Sequence, residues 1–226
     1  MPLFFYDSTM LLLIPALILA VWAQIKVKST YRKYKQITAS RGVTGASVAK
    51  FIMDQNGIHD VDIEPVAGEL SDHYDPRAGK VRLSEANYHG KSLAAIAVAA
   101  HEVGHVIQHK LGYAPLQFRH SFLPVTNFAS WAAFPLFIIG FFIGSPIMIK
   151  LGIVFFAAVV VFHFVTLPVE FNASSRALKQ LEGNGLLMTQ EITGARKVLN
   201  AAALTYVAAA TMALLQLIRL ILISRD

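Results

Sequence analysis

The sequence predicts a predominantly α, multi-pass membrane protein, with four transmembrane helices and a small cytoplasmic α+β insert. Three observations predict it. Of 226 residues, 55% are hydrophobic and 15% charged, whereas a soluble domain carries about 25% charge. The apolar residues gather in four long runs, and a membrane-crossing helix needs roughly 20 such residues. The basic residues gather beside those runs: 13 of the 20 Lys and Arg lie between Lys26 and Arg119. The same composition excludes other classes. A disordered chain lacks this much apolar surface. With no cysteine there is no disulfide framework, thiolate zinc ribbon or catalytic thiol, so any metal site draws on His, Asp or Glu.

The first run, Leu3 to Ala23, contains Asp7, which leaves Met10 to Ala23 as its continuous apolar part. That length also fits the core of a signal peptide, but Met1 to Met10 carries none of the positive charge that such a leader starts with. Positive charge follows the run instead, in Lys26, Lys28, Arg32, Lys33, Lys35 and Arg41, with no acidic residue between Asp7 and Asp54. The positive-inside rule then makes residues 1–23 an uncleaved first helix with its N-terminus outside, and 24–127 cytoplasmic. Residues 128–167 form a hairpin of two spans turned at Gly144-Ser145-Pro146. Residues 168–200 return to the cytoplasm and 201–226 are the fourth span; three spans plus a re-entrant or core helix is the alternative. The protein is thus expected in the cell (inner) membrane, with the bilayer as a partner. The +6 charge reports orientation rather than nucleic-acid binding.

Ordinary globular punctuation occurs only in the insert. Thr44 is placed to cap a helix running to about Asn56 and stopped by Gly57. Val61 to Pro65, Leu70 to Tyr74 and Val81 to Leu83 read as short strands, with a turn at Asp75 to Gly79. A second helix starts near Lys91 or Ser92 and ends near Leu111, at Gly112.

That helix carries His101-Glu102-Val103-Gly104-His105. Residues four apart share a helical face, so both imidazoles reach one Zn²⁺ while Glu102 stands beside the open coordination position. Zinc lowers the pKa of coordinated water toward about 7, and a nearby carboxylate accepts the proton as the water attacks a carbonyl. From this composition about 0.008 such motifs are expected by chance. The alternatives are a helix with a merely polar stripe and a zinc site without catalysis.

A third ligand is needed. His109 lies about 12 Å along the axis from His101, too far for one ion on a straight helix. His59, His73, His89 and His120 have no motif around them, and His163 lies inside an apolar span. Glu170 is the best candidate, because the topology returns it to the side that holds His101 and His105. Pro168 is placed to open a new helix just before it. Glu182 and Glu191 suit capping or solvated roles.

The stretches Asp72-His73-Tyr74-Asp75-Pro76-Arg77, Val81-Arg82-Leu83-Ser84-Glu85, Ala99-Ala100-His101-Glu102-Val103-Gly104-His105 and Glu170-Phe171-Asn172-Ala173-Ser174-Ser175-Arg176-Ala177 closely resemble the bacterial YugP-like family of membrane neutral zinc metallopeptidases. More distantly the layout is similar to HtpX-type membrane proteases. The resemblance implies a zincin-like insert of the gluzincin kind, with His101, His105 and Glu170 as ligands of one Zn²⁺ and Glu102 as catalytic base. In the HtpX-type pattern an Asp stands where this chain has Ser174. A serine holds a zinc-bound imidazole more weakly, and Asn172 or another residue is the alternative. The likeness further implies an edge strand around Val81 to Leu83 that pairs with substrate, against a plain hairpin. Arg176, Tyr88 and His89 are candidate oxyanion stabilisers, Arg176 equally a structural partner of a carboxylate. The expected function is a zinc endopeptidase cleaving peptide or membrane-protein substrates at the cytoplasmic face. The alternative is a catalytically silent, zinc-stabilised membrane scaffold or adaptor.

Overall fold

The computed structural model describes residues 8–225; Asp7 and the expected start of the first span at Leu3 lie outside the described residues. A 3-10 turn, Ser8–Leu13, leads into α1 (Ile14–Lys35). There follow α2 (Gly45–Gln55), β1 (Asp62–Val66), β2 (His73–Asp75), β3 (Lys80–Ser84), α3 (Glu85–Tyr88), α4 (Leu93–Lys110), α5 (Ala114–Phe142), α6 (Pro146–Gly183) and α7 (Thr189–Ile223). Helices thus dominate, with one three-stranded sheet.

Among the described residues, four helical stretches are long and apolar enough to cross a membrane: Ser8–Lys35, Ala114–Phe142, Pro146–Gly183 and Thr189–Ile223. Leu17, Ile18 and Trp22 on α1, Phe128 and Trp131 on α5, and Ile147 and Val154 on α6 are exposed. So much large apolar side chain on the outside suits lipid, not water. Each helix overruns its apolar stretch. α1 continues through the basic run to Lys35, α5 begins before Phe128, α6 passes Leu167, and α7 begins well before Ala201. Hydropathy marks the length that faces lipid, whereas a helix ends where its backbone groups find other partners. At α1 the last turn holds Arg32, Lys33 and Lys35, which favour the negative end of the helix dipole.

Pro168 does not open a new helix as expected; it lies inside α6. An interior proline removes one backbone hydrogen bond and costs roughly 3 kcal/mol. Ending the helix there leaves up to four N–H and four C=O groups to be satisfied, which is dearer next to an apolar segment. Pro124 and Pro135 sit inside α5 in the same way.

The chain divides into two compact units. One comprises the described part of Met1–Gln24 with Gln117–Pro168 and Thr205–Asp226; the other comprises Ile25–Leu116 and Val169–Leu204. In the first, Ala133, Phe137, Phe156, Val160, Ala213 and Leu220 form a buried cluster. Gly152 lets α6 approach α5 so closely that an added Cβ would lie 2.8 Å from the Ala133 carbonyl oxygen.

The second unit holds the sheet and the insert helices. Thr44 caps α2 by accepting from the Ser47 N–H, and Ser92 caps α4 by accepting from Ala95 N–H. Gly57 and Gly112 follow these helices with φ of +67° and +63°, conformations open to glycine. Before α4, Leu93 N–H donates to the Ile37 carbonyl and Ala39 N–H to that of Lys91, each at 2.9 Å, so the segment after α1 fixes the entry of α4. Sheet order is β1-β3-β2, with β1 parallel and β2 antiparallel to β3. This overturns the expected substrate-pairing edge at Val81 to Leu83, because Val81 pairs with Ile63 on one side and Tyr74 on the other. Beyond β2, the Asp72 carboxylate accepts from Ser84 N–H at 2.7 Å and closes that side too. The reason is chain order: β3 adds alongside both earlier segments and ends in the middle.

Candidate metal centre

α4 is built to sit deep. Its Ala94, Ala95, Ala97, Ala99 and Ala100 are buried, and small side chains let neighbouring backbones come close. Gly45 of α2 approaches so tightly that a Cβ there would stand 3.1 Å from the Ala95 carbonyl oxygen and 3.3 Å from the Ala99 Cβ on α4. Gly104, between the two motif histidines, touches α6: an added Cβ would lie 2.6 Å from the Ala173 carbonyl oxygen. This close approach sets α4 against the turn of α6 that carries Glu170.

The approach brings His101, His105 and Glu170 together, one ligand atom from each lying within 4.8 Å of the others. Glu170 Oε2 stands 3.3 Å from His101 Nε2 and 3.6 Å from His105 Nε2. Two donors about 2.1 Å from one tetrahedral ion stand about 3.4 Å apart, so both distances from Glu170 fit zinc. The imidazole rings lie edge to face, with centroids 4.8 Å apart. Glu170 is 2% exposed and Glu102 7%. Burial pushes the Glu102 carboxyl up, opposed by His101 and His105. For His105 burial works against the charged form, but the hydrogen bond to Glu170 and the charges of Glu102 and Glu170 outweigh it, and its pKa is raised.

The far nitrogens of both imidazoles are held. His105 Nδ1 lies 3.0 Å from Gln108 Oε1. The orientation of that amide follows from its other end: Gln108 Nε2 donates to the Val169 carbonyl at 2.8 Å and to Asn172 Oδ1 at 3.0 Å. A carbonyl only accepts, so the Gln108 oxygen faces His105, whose Nδ1 must donate. With Nδ1 donating to Gln108, His105 Nε2 is the nitrogen that faces Glu170, and a bound ion would take the place of the proton the two share there. Arg176 Nε donates to Asn172 Oδ1 at 2.7 Å and extends the chain of support. At His101, Nδ1 is 3.2 Å from Ser174 Oγ.

Ser174 therefore stands against His101, where the resemblance led one to expect a carboxylate, and Asn172 supports Gln108 instead. Arg176 is engaged by the Asn172 amide rather than by a carboxylate. Tyr88 and His89 face each other edge-on, and His89 lies 3.5 Å from Glu85. His109 meets the Tyr74 hydroxyl at 2.8 Å on β2 and does not join the ligand group. His73 donates to the Ser71 carbonyl, and His59 faces Asp54. Glu191 accepts from Ser40 and from Met188 N–H at the start of α7, a capping role, and Glu182 is exposed. Sequence reasoning missed Gln108 and Gly104. Gln108 carried a usable signal, since i, i+3 places it one turn beyond His105 on the same face.

The family model for "Putative neutral zinc metallopeptidase" matches residues 9–225. The chain is similar to the "Putative membrane protease YugP" of Bacillus subtilis (strain 168), with 53% identity over 212 residues that cover 94% of each chain. No solved structure matches it.

Proposed function

The chain belongs to the YugP-like family of membrane zinc metallopeptidases, and from that premise we propose that it is an integral-membrane endopeptidase of the gluzincin kind, cleaving peptide bonds at the cytoplasmic face of the membrane. The observation that carries the reading is the convergence of His101, His105 and Glu170 with the far side of each imidazole already engaged.

His101, His105 and Glu170 are the residues that would hold a zinc ion. When bound there, the ion would supply a Lewis acid for the scissile carbonyl and the attacking water. Glu102, buried beside the ligands, takes the proton from that water as its oxygen bonds to the carbonyl carbon. It then delivers the proton to the amine nitrogen as the carbon–nitrogen bond breaks. Burial raises its pKa, which strengthens it as an acceptor of the water proton. Gln108 and Ser174 keep the imidazoles in place through the cycle. An extended substrate finds an open strand at β2, which lies beside α4 through the Tyr74–His109 contact. Glu170 follows the apolar run ending at Leu167 by three residues, which favours substrates already at the membrane.

Among the described residues, no fourth His, Cys, Asp or Glu joins the ligand group. Structural zinc sites are closed by four protein ligands, whereas catalytic ones keep a position open, so the arrangement favours an enzyme over a silent scaffold. The test is zinc content and proteolysis of a membrane-protein mixture by the native chain and Glu102→Gln. The variant is expected to keep zinc and lose cleavage. Unchanged cleavage would remove Glu102 from the mechanism, and a fourth protein ligand on the zinc would favour the scaffold.

A further inference from the structure

A second feature lies between α1 and α7. A cleft of about 370 Å³ opens there, lined on α1 by Lys26, Thr30, Lys33 and Tyr34 and on α7 by Lys197 and Asn200. The spacing explains the lining. Residues 26, 30, 33 and 34 follow the i, i+4, i+7, i+8 pattern of one helical face, and 197, 200, 201 and 204 follow i, i+3, i+4, i+7. Tyr34 is buried against Gly194, where an added Cβ would meet its Cε1 at 2.9 Å, so small Gly194 lets the two helices close at that level.

The chemistry of the cleft is one-sided. Among the described residues, three lysines line it and no carboxylate does. The charge on Lys33 is 5.7 Å from the centre of the Tyr34 ring, and among the described residues none of the three lysines forms an ion pair. The basic residues nearby that do pair, such as Lys35 with Glu69, point elsewhere. Three cations with hydroxyl and amide donors around them suit a phosphate-bearing anion. The remaining lining, Ala201 and Leu204, is apolar and begins the apolar stretch of α7. On α1, Lys26 comes just after apolar Val21, Trp22 and Ile25, and Trp22, one turn earlier, is the residue type that marks a membrane–water boundary. A cleft with a cationic end and an apolar end at that boundary fits an amphiphile better than a free ion.

We propose that this cleft binds the headgroup of an anionic phospholipid, with Lys26, Lys33 and Lys197 on its phosphate and Ala201 and Leu204 against the start of its acyl chains. The site is separate from the zinc ligands and shares no residue with them.

The full-length protein in detergent is titrated with phosphatidylglycerol and, separately, with phosphatidylcholine, and bound lipid is read by native mass spectrometry. The native chain is expected to hold phosphatidylglycerol the more tightly. Each lysine near an anionic headgroup is worth about fivefold in affinity, so Lys26→Ala, Lys33→Ala and Lys197→Ala together should weaken phosphatidylglycerol roughly 100-fold. The charge-matched set Lys28→Ala, Arg32→Ala and Arg196→Ala, outside the cleft, is expected to leave the preference in place. Equal loss in both sets would reduce the preference to general basic charge and overturn the site. Excess inorganic phosphate should not displace the lipid; displacement, with equal binding of phosphate alone, would make this a free-phosphate site and overturn the lipid assignment. If the triple variant loses helix content, Lys197→Ala alone carries the test, with a loss of about fivefold expected and no loss counting against the proposal. Zinc content serves as a control and should not move.

Discussion

Replacing Gly104 by alanine tests whether the close approach of α4 and α6 assembles the metal centre. The new Cβ would stand 2.6 Å from the Ala173 carbonyl oxygen, 3.1 Å from its carbonyl carbon and 3.2 Å from its Cα. All three are backbone atoms, so no side chain can swing aside. Ordinary contact begins at 3.4 Å, and the helices must part by about 0.8 Å along that line. Ala173 lies three residues from Glu170 on the same helix, so the carboxylate moves with it. Ligand distances in metal sites tolerate about 0.2 Å, and the shift is several times that. Zinc affinity should fall at least tenfold, on the order of what loss of ligand orientation costs. Stability is the poorer readout, because overpacking costs about 1–3 kcal/mol while alanine gains about 1 kcal/mol over glycine in a helix. The assay is competition for zinc against a chromophoric chelator, with helix content by circular dichroism as the folding control. A Gly104→Ala protein that binds zinc with native affinity would refute the role given to this contact.

Other substitutions separate the supports of the site. Gln108→Ala leaves His105 Nδ1 and the Val169 carbonyl without their partner, and should lower zinc affinity about 10- to 100-fold while helix content stays native; Ser174→Ala, which removes a longer contact to His101, should cost less in the same chelator competition. Glu170→Ala should release zinc altogether, and unchanged occupancy by elemental analysis would move the third ligand elsewhere. On the sheet, Glu64 bonds to Lys80 and Arg82, and Asp75 is held by Ala78 N–H and Arg82; these contacts keep both carboxyls below the usual range. A carboxyl with a lowered folded pKa adds stability that is complete above its unfolded pKa, about 4, and fades as the pH falls through the folded value. Acid unfolding followed by circular dichroism should therefore begin at higher pH in Arg82→Gln than in the native chain.

Much of this was legible in residues whose role is local. Thr44, Ser92, Gly57 and Gly112 mark helix ends through their own backbone and side chain, and the structure puts the ends within a residue or two of them. The pair His101 and His105 is likewise local, since four residues on a helix fix their common face. Glu170 was reached only through topology, because 65 residues separate it from His105. What stayed hidden depends on partners the chain meets later. The central place of β3 is decided by pairing with two separate segments, and no alternation within Lys80–Ser84 encodes it. Pro168 misled because a local rule for helix starts was applied where the surroundings make an ended helix costlier than one missing bond.

Gln108 and Gly104 show why a motif of ligands understates a site. His101 and His105 each offer two nitrogens, and only the one facing Glu170 serves a shared ion. Which nitrogen keeps its lone pair is settled at the other side of the ring, for His105 by an amide whose own direction is settled by the Val169 carbonyl on α6. The same helix that supplies the third ligand thus also orients the second one. Moving α6 therefore disturbs Glu170 and the tautomer of His105 together. The two losses should not be independent: Gly104→Ala combined with Gln108→Ala should weaken zinc by less than the product of the single effects. Full additivity in zinc affinity would mean that the close approach and the amide act on separate parts of the site.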